Sequence, residues 1–178
     1  MASHYAHQIR VSGKELLILA ANLNSPIDLE IDLDPIFRPA FTELAPYLKR
    51  DRQVVYIRDI KAYAIDDVYP GGYARIPEEL VLAVPEWPAD ETQLRATAAH
   101  ELHHLARWQN GAERKILGDA ITHEGLGTFY EELRSGWLPP WAKSDIPKEA
   151  WVAVRKEWDN EKYDYSGWFF KGPYGRGV

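Results

Sequence analysis

The chain has 178 residues, 46% of them hydrophobic and 27% charged, with a formal net charge of -6. That is the make-up of a globular protein with a sizeable core, built as one domain or as two small lobes sharing a cleft. The absence of cysteine excludes disulfides, thiolate metal sites and cysteine nucleophiles. The acidic balance argues against nucleic acid as a partner, because phosphate neutralisation needs a basic surface.

The first forty residues carry few signals. Leu16 to Ala21 is an apolar run that reads as a strand or short helix and is far too short to span a bilayer. No signal peptide is read, no membrane partner is expected, and the cytoplasm is the expected location. His4 and His7 fall in an end expected to be disordered. "DPIFRPAFTELAPYLKR" (34–50) predicts a helix, capped by Asp34, with Pro35 in its first turn and a stripe of Phe37, Phe41, Leu44 and Leu48. "RQVVYIRDI" (52–60) and "ELVLAV" (79–84) have the β-branched character of strands. Between them, 69–77 reads as a turn or a glycine-loosened edge strand.

The clearest helix follows over 88–111. Asp90 caps it, Gln93 completes a capping box, Glu91 adds negative charge to the first turn, and Asn110-Gly111 ends it. A second helix is expected from Glu113 to Arg134, stopped by Gly136. After the break at "LPPW", a third over 147–160 places Trp151, Val154 and Trp158 along one side. The seven tryptophans lie mostly beyond residue 136 and suit the core of a smaller lower lobe. Strands before, helices after and no βαβ alternation give an α+β pattern.

"HELHH" (100–104) contains His100-Glu101-x-x-His104. On a helix, residues four apart lie nearly above one another, so both imidazoles aim at one point. Glu101 sits beside them, in reach of a water at that point but not aligned as a ligand. Zinc is bound by two such histidines, a third protein ligand and a water whose pKa it lowers to about 7. The glutamate removes that water's proton and later passes it to a leaving amine. Leu94, Ala98, Leu102, Leu105 and Ala106 fall on one face of the helix, and His100, His104 and Arg107 on the other. The histidine side is therefore expected to face a cleft. His103 points off the ligand line, as a ligand's partner, a substrate contact or a surface residue, and Arg107 is expected in a structural salt bridge.

The third ligand is sought downstream among Asp119, His123, Glu124 and Glu131. A metzincin site is excluded, because Arg107 and Asn110 stand where its glycine and third histidine belong. Leu117, Ala120, Ile121 and Thr128 mark a buried stripe with Glu124 in its middle, while Asp119 points nearly opposite and His123 falls to one side. A carboxylate on an apolar stripe is costly unless paired or metal-bound. Glu131, two turns further on, shares that side and stays open as a rival. The bland reading of Glu124 is a salt bridge to Arg107 or another base.

These residues resemble a known group. His100-Glu101-x-x-His104, nineteen residues (105–123) and Glu124 look like the gluzincin pattern. "HELHHLAR" and "EGLGTFYEEL" are similar to the YjaZ-type family of predicted zinc-dependent proteases, over most of the chain. The resemblance implies a zincin-like fold, with a small mixed sheet whose edge strand lies over the active-site helix and a mostly helical lower lobe. The upper lobe would run over about 1–110 and the lower over about 111–178 of a single domain. It implies one Zn2+ per chain held by His100, His104 and Glu124, with Glu101 as general base and a peptide or protein as substrate. Oligomeric state is not legible. Family members continue past the aromatic tail, so a short or truncated C-terminus is expected. The phenol that would stabilise the oxyanion is then sought among Tyr163, Tyr165 and Tyr174. Two other readings are a non-catalytic zinc-stabilised binding protein and a metal-free interaction module.

Overall fold

The computed structural model describes residues 4–21, 32–59, 70–75, 79–84, 90–139, 142 and 145–171. Two hairpin strands, β1 (His4–Val11) and β2 (Lys14–Ala21), open the chain. They meet at Ser12-Gly13, both at positive φ (50° and 79°), as a two-residue hairpin turn requires. α1 (Asp34–Leu44) and a 3₁₀ turn (Ala45–Tyr47) lead into β3 (Arg52–Asp59), β4 (Gly71–Arg75) and β5 (Glu79–Val84). Three longer elements follow, α2 (Glu91–Gln109), α3 (Leu117–Ser135) and α4 (Lys148–Glu157), and then a π-helical turn at Gly167–Lys171.

The five strands form one mixed sheet in the order β1-β2-β3-β5-β4. β2, β3 and β5 run parallel, and β1 and β4 are antiparallel edges. The fold is α+β as expected, but the strands-before-helices order is not kept: α1 joins the parallel strands β2 and β3 in one βαβ crossover. The cause is local: with Leu16–Ala21 undecided between strand and helix and β1 unrecognised, no crossover was visible. β1 also corrects the disordered N-terminal end, since His7 lies 3.2 Å from Asp34.

Contact density divides the chain into two compact units, Met1–Ala112 with Tyr130–Trp137, and Glu113–Phe129 with Leu138–Val178. In the first, α1 and α2 pack together, and α2 also packs on β4 and β5. Leu16, Ile18, Val55, Ile57, Phe37, Phe41, Leu94 and Leu102 are wholly buried in its core. β5 is buried from Leu80 to Val84, as a central strand covered on both faces should be. Asp34 does not cap α1. Its N-cap is Leu33, and the Asp34 carboxylate binds Arg38 instead, which holds it below the usual carboxylate range.

α2 follows its sequence signals closely. Asp90 accepts from Gln93 N at 2.8 Å, and Asn110 and Gly111 (φ 85°) close the helix. Its end is tied to the entry of β3 through Gln109, which accepts from Lys49 N and donates to the fully buried Gln53.

In the second unit α3 starts later than expected, at Leu117, because Asp119 accepts from Lys115 N and Ile116 N just before it. Gly118 donates to Trp158 O at 2.9 Å, and an added Cβ there would lie 2.3 Å from the Trp158 ring. Only a glycine permits that approach. Of the tryptophans expected to form a core, Trp151 and Trp158 are 44% and 39% exposed beside the buried Ala150 and Val154, Trp137 and Trp168 are half-buried, and Trp141 lies outside the described residues. The buried edge of α4 runs through 150 and 154, one residue out of phase with Trp151. Among the described residues, no helix is long and apolar enough to cross a membrane.

Candidate metal centre

α2 presents Leu94, Ala98, Leu102 and Leu105 to the core and turns His100 and His104 the other way. The two imidazoles meet edge to face, with ring centroids 4.4 Å apart. His104 is not turned to open solvent: it is 4% exposed and stacks beside Trp108, centroids 6.1 Å apart.

Glu101 is 5% exposed and lies against the edge strand. A Cβ built on Gly72 of β4 would fall 2.6 Å from Glu101 Cγ and 2.9 Å from its Oε1. This glycine lets the strand's backbone approach the carboxylate, the use expected of a glycine inside a strand beside a site.

The last turns of α3 are anchored on α1 and α2. Tyr130 stacks on His103 with centroids 5.4 Å apart and donates to Glu43 at 3.1 Å, and Arg134 pairs with the same Glu43. Burial, and then the Glu43 carboxylate, push the Tyr130 phenol above its ordinary range. Burial, followed by the positive fields of His104, Arg107 and His100, pulls the His103 imidazole down to about 4. His103 is half-buried, with one face of its ring on Tyr130. One residue beyond Tyr130, Glu131 lies with Oε2 3.0 Å from His100 Nδ1. The rival for third ligand is in contact with a histidine, through the ring nitrogen Nδ1.

Glu124 sits seven residues earlier on the same helix. Its Oε1 accepts from Tyr165 at 2.8 Å and meets Arg114 at 3.2 Å, and the Arg114 guanidinium lies 5.0 Å from the Tyr165 ring centre. The base that finds Glu124 is Arg114, not Arg107. Of the three candidate phenols, Tyr165 is the one on Glu124. Tyr163 donates to Arg114 O, and Tyr174 lies outside the described residues. Nothing local in the sequence ties Arg114 or Tyr165 to Glu124, ten and forty-one residues away.

Two other candidates stand differently. Asp119 serves the start of α3. His123, expected off to one side, is 1% exposed. The buried side of α3 follows Leu117, Gly118, Ala120, His123, Gly127, Tyr130 and Glu131, so the expected stripe holds at Leu117 and Ala120, whereas Ile121, Glu124 and Thr128 are only half-buried and Leu126, Phe129 and Leu133 are exposed.

His100, His104 and Glu124 each offer one ligand atom, and these atoms lie within 4.8 Å of one another, a group that could hold a metal ion. Two neutral imidazoles and a carboxylate suit zinc, and no thiolate competes in a chain without cysteine. The donor set fits. The family model described as "Predicted Zn-dependent protease (DUF2268)" matches residues 47–175. No curated protein and no solved structure matches the chain.

Proposed function

The chain belongs to the family of predicted Zn-dependent proteases that its motif resembles, and from that premise we propose that it is a zinc-dependent metallopeptidase of gluzincin type with a zincin-like site. His100, His104 and Glu124 would be the ligands of one zinc ion, with Glu101 as general base. The observation that carries the reading is the convergence of two imidazoles and one carboxylate beside a second, buried carboxylate. When bound, zinc polarises a substrate carbonyl and lowers the pKa of water to about 7.

The chain's own residues do the rest. Glu101 takes the proton of the attacking water and delivers it to the leaving amine. β4, at the end of the strand order, offers an edge to which an extended peptide can add as a further strand. Gly72 sets that edge against Glu101, so a peptide laid there presents its backbone to the base.

Elemental analysis of the purified protein should find one zinc per chain, and Glu101→Gln should keep the zinc while losing peptide hydrolysis. A variant that loses the metal, or cleaves at the full rate, overturns the role given to Glu101.

A second reading, a zinc-stapled binding protein without hydrolysis, draws on Glu124 being already engaged by Arg114 and Tyr165. Under it, zinc raises Tm by mass action, and wild type and Glu101→Gln are equally inert.

A further inference from the structure

We infer that Glu131 is a positioning residue for His100: it accepts the Nδ1 proton and thereby fixes the imidazole in the tautomer that keeps its lone pair on Nε2. The inference rests on the metallopeptidase reading for what that lone pair holds, but not for the hydrogen bond itself.

Four observations carry it. Glu131 Oε2 lies 3.0 Å from His100 Nδ1, and both side chains are largely buried, at 6% and 16% exposure. A carboxylate withdrawn from water needs a strong partner, and Arg134, the cation one turn away on the same helix, is taken by Glu43. The segment bearing Glu131 is fixed from outside the contact, by Tyr130 on Glu43 and His103 and by Ser135 Oγ donating to Glu131 O at 2.7 Å. The ring it addresses is held on another side by His104, edge to face at 4.4 Å.

A neutral imidazole carries one ring proton. With that proton on Nδ1 and given to a carboxylate, the remaining lone pair is on Nε2, where the carboxylate's charge makes it a better donor to a cation. Glu131 is therefore not a spare third ligand. Its oxygen occupies the side of the ring opposite to the one that coordinates, and the convergent carboxylate is Glu124. A purely structural carboxylate, stapling α3 to α2, would leave the tautomer and the metal affinity unchanged, which makes the two roles separable.

The test begins on metal-free, 15N-histidine-labelled protein at pH 8. His100 is assigned by its loss in His100→Gln, and its ring nitrogens are read by long-range 1H–15N correlation. Wild type should show the Nδ1–H form, and Glu131→Ala should shift His100 towards Nε2–H. Zinc affinity, measured by competition with a chelating dye, should weaken 10–100-fold in Glu131→Ala. The decline should be smaller in Glu131→Gln, whose amide oxygen still accepts and whose near-identical shape covers the case in which the alanine variant does not fold.

An Nε2–H tautomer in wild type, or an unchanged tautomer and a zinc affinity within twofold of wild type in a folded variant, overturns the inference. So does a Glu131→Ala affinity as low as that of His100→Ala, which would make Glu131 a ligand. Failure of the protease reading is a different result: the protein binds zinc and shows the tautomer shift but cleaves no peptide, or binds no zinc while the tautomer alone decides the role of Glu131.

Discussion

Glu124 and Glu131 are the same residue type on the same side of one helix, two turns apart, yet they stand in opposite surroundings. Glu131 is 6% exposed and backs an imidazole, whereas Glu124 is 19% exposed and meets a guanidinium and a phenol. An anion behind a histidine strengthens that histidine as a donor. A cation beside a carboxylate does the reverse, competing for the charge a metal would use. In the proposed assignment it is partners, and not helical phase, that separate the ligand Glu124 from Glu131, the residue that positions one.

The largest break in this comparison should come from Glu124→Ala. Loss of a ligand exceeds loss of a ligand's partner, so zinc affinity should fall by more than the ~100-fold upper range for such partners, measured by the same dye competition. If Glu124→Ala and Glu131→Ala weaken zinc equally, the division of roles is wrong. A third carboxylate sharpens it. Gly72→Ala places a Cβ 2.6 Å from Glu101 Cγ and 2.9 Å from its Oε1, and a misplacement of the carboxylate by about 1 Å can lower turnover by about 100-fold. Zinc affinity should stay within about twofold if Glu101 is the base proposed above and not a ligand. A parallel fall in zinc affinity would show that β4 shapes the ligand set and not the base alone. Arg114→Gln should act in the opposite direction, with a smaller size. It keeps a hydrogen-bond donor for Glu124 but removes the charge, so zinc should bind about tenfold tighter at low salt and less so at high salt. Weaker binding would mean that Arg114 orients the carboxylate more than it opposes the metal.

How far the sequence reached follows from the range of each signal. α2 was legible to within a few residues because its cap, apolar face and stop are all local: Asp90, the Leu94–Leu105 face and Asn110-Gly111. The pair His100 and His104 was legible for the same reason. α3 was harder. Its buried side starts at Leu117 and continues through Gly118, Ala120, His123, Gly127, Tyr130 and Glu131 while Leu126, Phe129 and Leu133 face outward, so beyond the first turn large apolar residues do not mark the buried side and His123 is misplaced. Glu124 and Glu131, seven apart, are inseparable by phase in any case. What distinguishes them comes from Arg114, Tyr165 and His100, residues brought in by tertiary packing. The crossover β2-α1-β3 was lost to an apolar run too short to declare its type, and β1 to a polar sequence, HYAHQIRV, in which Ile9 is wholly buried.

The smallest effect concerns the cover over the Glu131 end of α3, where Tyr130 stacks on His103. Burial first, and the neighbouring positive groups second, hold the His103 imidazole down at about 4, against an ordinary value of 6.5. Between these values the unfolded chain binds a proton that the folded protein refuses. Stability from this group is therefore complete above pH 6.5 and is lost as pH falls towards 4, below which both states are protonated. The ring is only partly buried, and solvent screening reduces the loss to about 1 kcal/mol. His103→Phe keeps an aromatic face for Tyr130 and has nothing to titrate. Urea unfolding of the metal-free proteins at pH 7.5 and 4.5 should show wild type losing about 1 kcal/mol more than the variant across that interval. Equal losses would mean that His103 takes up its proton as readily folded as unfolded, and that the Glu131 end of the helix is as open to water as the Glu124 end.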